Sequence, residues 1–411
     1  MSGRSSRSNE GKAVAVLALG FGLVGIDRFL ISTLFPVIAR DLHLGYSDIG
    51  TITGALAIAW GIAALIMGNL SDRIGRRRVL VGALLLFSLL IGASGLATGL
   101  AGLILVRIVM GLADGAFTPA SISATITASP PTRHGRNIGI QQMTLTLFGL
   151  GLSPLIVAGL LHVIDWRLIF SIFVIPGFVL AWVTWRVIPT EAAAFAPASR
   201  SSTADWRAVL SYRNIRVLTA AMLCWLTCLV TTSAFMPNYL LDHLGLTFGQ
   251  MGGIMSAIGF GAAAGTLLLP WLSDAIGRKP VMLIATWGTG LSLAWFGSLG
   301  PAVAPLFLAL FLVHFFNNAL ITLTVGPICS ETVPATLMAT ASGMVIAVGE
   351  IFGGGIAPIV AGQVAERFGI DQLLWLPILA IAAGFLLCLL LKETKPTPAV
   401  TVHRDEWIPI P

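Results

Sequence analysis

Twelve predominantly apolar stretches, each long enough to cross a lipid bilayer as a helix, constrain this chain more than any other feature. They lie near 13–36, 49–70, 79–99, 101–126, 137–161, 167–189, 216–240, 249–272, 280–299, 302–327, 339–362 and 371–391. A crossing takes about 20 such residues, because backbone amides find no water in the hydrocarbon core and must bond within their own segment. Only 10% of the residues are charged and 56% are apolar. Soluble domains carry about 25% charged residues, so a water-soluble fold would lack its polar surface. The spans predict an all-α integral membrane protein of twelve transmembrane helices.

Lysine and arginine set the orientation. With the N-terminus inside, the inner segments hold all but five of the 24 basic residues. The outer loops hold only Arg40, Arg167 and Arg367, and Arg28 and Arg107 fall within spans. Both termini are therefore expected to be cytoplasmic, and the net charge of +6 follows topology rather than a nucleic-acid footprint. The longest polar stretch, 190–215, begins as a Pro/Ala/Ser-rich linker and from Asp205 suits a short surface helix with Trp206 and Leu210 one turn apart. The segment 392–411 is the expected cytoplasmic tail, and after Lys395 it has four prolines and is expected to be disordered.

Cys224, Cys228, Cys329 and Cys388 all fall inside apolar runs, and the six histidines are scattered. Neither a disulfide framework nor a metal site is expected. With no phosphate loop, no nucleophile–base spacing and no sizeable extramembrane domain, the chain predicts neither an enzyme nor a cofactor requirement.

The sequence also repeats. LSDRIGRR begins at Leu70 and LSDAIGRK at Leu272, an offset of 202 residues, each following the second span of a six-span half. Upstream, LGYSDIG from Leu44 faces LGLTFGQMG from Leu244. Parallel duplication of six spans is one transporter architecture. GNLSDRIGRRR at 68–78 resembles the loop signature of the major facilitator superfamily. That resemblance implies two pseudo-symmetric six-helix bundles, 1–189 and 216–391, joined by the cytoplasmic linker 190–215. It also implies a gating role for Asp72, Gly75 and Arg76, repeated by Asp274 and Arg278.

A narrower likeness lies in GIDRFLISTLFP of span one, RIVMGLADGAFTPA of span four and FMPNYLLDHLGLT of span seven. These resemble the anion:cation symporter family, which moves organic acids, commonly with protons. The acid of span four is Asp114 where that family more often has Glu. The span-five segment GLGLSPLIVAG only partly resembles the glycine–proline motif of drug/proton antiporters.

Charges in mid-membrane cost roughly 2.5–3.5 kcal/mol each on insertion scales, so they require a partner, a watery cavity or a use. Asp27, Arg28, Arg107, Asp114 and Glu350 all fall within spans. Arg107 and Asp114, seven residues apart, lie about 20° apart around a helix and about 10.5 Å along it. Asp27 and Arg28, being adjacent, point about 100° apart and need not pair with each other. In the superfamily resembled here, the first and fourth spans of each half line the central path, so these four groups are expected to converge there. An arginine fork matches a carboxylate in bidentate geometry. Desolvation and a neighbouring arginine pull an embedded aspartate's protonation in opposite directions, which lets it change state during a transport cycle.

The expected function is secondary active transport: proton-coupled uptake of a small organic anion, a carboxylate, by alternating access. Exchange of anions or proton-driven export is the alternative. Expected substrate contacts are Arg28, Arg107, Gln141, Gln142, Asn238, His314, Asn317 and Asn318, and expected proton carriers are Asp27, Asp114 and Glu350. For each residue a structural reading stands beside the functional one: static ion pairs for the charged groups, helix–helix hydrogen bonds or packing for the amides and His314. Close-packing roles are expected for Gly149, Gly151 and Gly159 and for Gly353, Gly354 and Gly355. A sugar acid would want many hydroxyl partners, yet the chain has only three tyrosines and its C-terminal half offers few polar groups, which favours a compact or partly apolar monocarboxylate. The expected partners are that anion, protons and the lipid bilayer of a bacterial inner membrane, with the protein monomeric.

Overall fold

The computed structural model describes the backbone of residues 2–130, 133–189, 203–334 and 336–394, and within these the side chains except those of 2–9, 65–74 and 203–204. Twelve long apolar helices form the body. The N-terminal half contributes α1 (Glu10–Leu42), α2 (Tyr46–Ala64), α3 (Arg76–Gly95), α4 (Leu100–Ala128), α5 (His134–Leu160) and α6 (Trp166–Val187). The C-terminal half contributes α7 (Arg213–His243), α8 (Phe248–Ile276), α9 (Arg278–Gly297), α10 (Val303–Thr332), α11 (Met338–Phe368) and α12 (Ile370–Leu390). All twelve expected spans are present. The helical backbone of α2 runs on to Ile74.

The short surface helix also forms, at Thr203–Ser211. Its Val209 is fully buried and its Trp206 packs on the C-terminal core.

Each half has its own apolar core. One gathers Phe21, Leu30, Phe87, Phe117 and Phe170; the other gathers Trp225, Leu240, Phe296, Leu310 and Met344. Within the halves α2 packs on α4, α3 on α6, α8 on α10 and α9 on α12. Across them α2 meets α11, α5 meets α8 and α1 meets α7. The α2–α11 and α5–α8 seams exchange under the sequence repeat. Large apolar side chains stay exposed on the peripheral helices, among them Leu89, Trp182, Trp287 and Leu379. Lipid covers such a surface at no hydrophobic cost.

The repeated loop motif turns through a conformation that only its glycine tolerates well. Gly75 has φ +97° between α2 and α3, and Gly277 has φ +106° between α8 and α9.

Two wide π-helical stretches also correspond. Leu147–Leu152 lies in α5 just before Pro154, and Gly349–Ile356 lies in α11 just before Pro358. A proline lacks the amide its helical turn would use and crowds the preceding carbonyl, and here the turn before it widens. Gly151 and Gly259 meet backbone to backbone where α5 crosses α8. Gly159, expected to be a third packing glycine of α5, has nothing around it, so it faces no neighbouring helix.

Candidate functional site

The charged residues of α1 point to different partners, as their angular separation requires. Arg28 reaches across to α11 and binds Glu350 through both guanidinium nitrogens, at 3.1 and 2.7 Å. Its guanidinium also lies over Trp60 of α2 at 4.3 Å and over Phe29 at 5.6 Å, a favourable cation–π setting. Asp27 faces α4. Arg107 donates to the Asp27 backbone carbonyl at 2.8 Å and to Ser94 Oγ at 3.2 Å. The Asp27 carboxylate stands 3.8 Å from the same guanidinium.

Asp114, two turns along α4 from Arg107, is fully buried, and neither of its carboxylate oxygens has a hydrogen-bond partner. It interacts electrostatically with Asp27, Arg28 and Arg107. The four residues of α1 and α4 thus converge, and α11 adds Glu350. Beside them lies a void of about 10 Å³, bordered by Arg28, Ser32, Thr53, Arg107 and Ser233. It has room for one water molecule. Two fixed cations here face three carboxyl groups in a region that water reaches poorly.

The amide and imidazole candidates are placed differently. His314 shares a hydrogen bond with Thr232 at 3.2 Å, and Asn317 donates to the Trp225 carbonyl at 3.1 Å. Both contacts tie α10 to α7. Asn318 donates to the His314 carbonyl one turn back. Gln141 donates to Ser121 Oγ at 3.1 Å, joining α5 to α4, and Gln142 is half-buried beside it. Among the described residues none of these five is hydrogen-bonded to the arginine–carboxylate group. His314 Nδ1 and Asn317 Oδ1 remain buried without partners.

Asn238 belongs to a second region, at the end of the bundle that carries the α1–α2 loop. It donates to Asp242 at 3.0 Å. Asp242 also accepts from the Tyr46 hydroxyl at 3.1 Å and faces Arg40 at 3.6 Å. Glu366 of α11 accepts from the first amides of α2, Tyr46 N at 2.6 Å and Ser47 N at 3.3 Å. A carboxylate of one half thereby caps a helix N-terminus of the other, where exposed amides and the helix dipole favour an anion. These groups border a cavity of about 290 Å³. The sequence reading assigned no role to Tyr46, Asp242 and Glu366: the first two lie in LGYSDIG and FMPNYLLDHLGLT, read there only as repeat and family likeness, and Glu366 lies in no motif.

At the opposite end Arg278 binds Asp274 at 2.6 Å, Glu331 at 2.7 Å and Ser273 at 2.6 Å, all within the C-terminal half. Arg76 donates to Thr127 at 2.7 Å, within the N-terminal half. The Asp72 side chain lies outside the described residues. Among those residues no cluster of His, Cys, Asp or Glu could hold a metal ion.

A twelve-helix duplicated bundle with an arginine–carboxylate centre between its halves defines a multi-pass membrane transporter. The chain belongs to the Major Facilitator Superfamily, whose sequence profile matches residues 17–271 and 230–410. It is 26% identical to a putative metabolite transport protein of Haemophilus influenzae, over 87% of this chain and 89% of that one. It is also 26% identical to the 3-(3-hydroxy-phenyl)propionate transporter of Escherichia coli, over 88% of this chain and 90% of that one. Its fold resembles a bacterial homolog of the human lysosomal transporter Spinster in an inward-facing, unoccupied conformation. The TM-score is 0.79 and the identity 17%, covering 93% of this chain and 97% of that one.

Proposed function

We propose that this transporter is a proton-coupled symporter that carries a small organic anion, a carboxylate, into a bacterial cell across its inner membrane. The observation that carries this reading is the buried centre itself: Arg28 and Arg107 against Asp27, Asp114 and Glu350. Two arginines can hold a carboxylate, and three acids for two cations leave one acid to be matched by a proton. The name of the Escherichia coli relative, a transporter of an aromatic carboxylic acid, supports a compact, partly apolar cargo.

In this mechanism protonation of Asp114, Asp27 or both relaxes the arginine–carboxylate centre and frees arginine to bind the cargo carboxylate. The halves 1–189 and 216–391 then rock about the α2–α11 and α5–α8 seams. The linker 190–215, the tail 392–411 and both termini stay on the cytoplasmic side, and the protein works as a monomer. Proton loss inside restores the Arg107–Asp27 pair and expels the cargo. One charge moved through 100 mV is worth about 2.3 kcal/mol and one pH unit about 1.4 kcal/mol. One proton per monoanion is electroneutral and draws on the pH term alone, about tenfold per pH unit; the potential adds its share only when more than one proton enters with each anion.

Purified protein in liposomes, with a trapped pH dye and clamped potential, tests this reading. A panel of organic acids that includes 3-(3-hydroxyphenyl)propionate is added outside. Acidification of the lumen by a subset of acids, above protein-free liposomes and absent in Arg107→Ala, is the expected result. Exchange against preloaded anion without acidification would make the protein an anion exchanger.

A further inference from the structure

We propose that Glu350 is an internal stand-in for the cargo carboxylate: it occupies the Arg28 fork while the site is empty, and an arriving anion displaces it. This deepens the organic-anion reading of the same centre and rests on it. The geometry is that of carboxylate recognition, two parallel contacts of 3.1 and 2.7 Å from one guanidinium to one carboxylate, which is how an arginine holds any such ligand.

The surroundings favour an exchange of partners. Arg28 borders the central void, yet that void holds about 10 Å³, far less than an organic anion requires. A carboxylate cargo must therefore displace a group already present, and the group seated on this cation is itself a carboxylate. Arg28 stays fixed during the exchange, because Trp60 and Phe29, on its own half, hold its flat face. The guanidinium charge is matched before and after, so the swap leaves no bare cation, and the displaced carboxylate of buried Glu350 is neutralised by taking up a proton that enters with the cargo. Arg107 differs: its close contacts are to a backbone carbonyl and a serine hydroxyl.

The exchange also links cargo to movement. Glu350 belongs to α11 of the C-terminal half and Arg28 to α1 of the N-terminal half. Replacing Glu350 by cargo removes a mid-depth ion pair between the halves and puts the cargo in its place on one of them. Glu350 sits at the start of the wide π-helical stretch of α11, and such stretches often mark functional sites.

The full chain, purified in nanodiscs, tests this with acetate as the probe and chloride at equal ionic strength as the control. Glu350→Ala is expected to melt below the wild type, and acetate is expected to raise its Tm where chloride does not. Glu350→Gln keeps the side-chain volume and serves if the alanine variant does not fold. For Glu350→Gln, half-maximal stabilisation by acetate should come at a roughly tenfold lower concentration than for the wild type, because no tethered carboxylate competes. Adding Arg28→Ala to either variant should abolish the response.

Acetate acting no better than chloride on both variants would overturn the proposal and leave Glu350 a fixed structural partner. The melting readout needs no proton movement. Rescue by acetate without acid-driven acidification would refute the symport reading alone, and acidification without rescue would refute the stand-in alone.

Discussion

Arg107 holds the backbone of Asp27 more closely than its carboxylate, at 2.8 Å against 3.8 Å. The arginine is thus anchored to α1 by a neutral acceptor that does not depend on the protonation of the Asp27 side chain. Protonating Asp27 removes the Coulomb attraction but leaves α1 and α4 connected. A transporter that must change the charge of its centre without losing its packing needs a link of this kind.

This gives a first prediction. Asp27→Asn should fold with α1 and α4 in place, because Asp114 still offsets the Arg107 charge, whereas removal of one partner of an isolated buried pair typically costs about 3–5 kcal/mol. Acid-driven uptake in liposomes should be lost while the variant still elutes as a single species. A variant that aggregates would show that the carboxylate, not the carbonyl, holds the two helices together.

Asp114 should set the dependence on outside pH. With inner pH fixed, uptake by the wild type is expected to rise as outer pH falls, because in the proposed symport the proton enters with the cargo and a lower outer pH supplies more of it. Asp114→Asn should flatten that profile while keeping anion exchange. A profile in the variant parallel to that of the wild type would remove Asp114 from the coupling.

The α1–α2 loop end should open more readily when its cross-half contacts are removed. Glu366→Gln weakens the acceptor at the α2 N-terminus, and Tyr46→Phe removes the donor to Asp242. A cysteine placed at Thr53, on the border of the central void, should then react several-fold faster with an impermeant thiol reagent added from that side. Unchanged labelling in both variants would mean that the contacts accompany closure without stabilising it.

The α5–α8 crossing should be asymmetric. A Cβ on Gly259 would collide with the Gly151 backbone, whereas a Cβ on Gly151 would sit 3.6 Å from Gly259, an ordinary contact. Overpacking of this sort costs about 1–3 kcal/mol. Gly259→Ala should therefore lower the Tm by several degrees and slow transport, and Gly151→Ala should be close to silent. Equal effects from both would show that the seam relaxes.

The sequence by itself determined the twelve spans, the duplication and the embedded charges that require an explanation. Span length against bilayer thickness, and the cost of a charge in hydrocarbon, are properties of residues taken one stretch at a time. GLGLSPLIVAG in α5 also matches GGGIAPIVAG in α11, a likeness that went unread in the sequence and that accompanies the π-helical stretches of those two helices.

Tertiary structure alone decided the pairing. Asp27 and Arg28 are neighbours in the chain, yet one faces Arg107 and the other faces Glu350, 322 residues away. Tyr46, Asp242 and Glu366 meet only because α1, α2, α7 and α11 end at the same level. His314 and Asn317 tie α7 to α10 rather than joining the arginines. A helix turns each successive side chain by about 100°, and the neighbour waiting at each angle is set by how the helices pack, which no single stretch of sequence encodes.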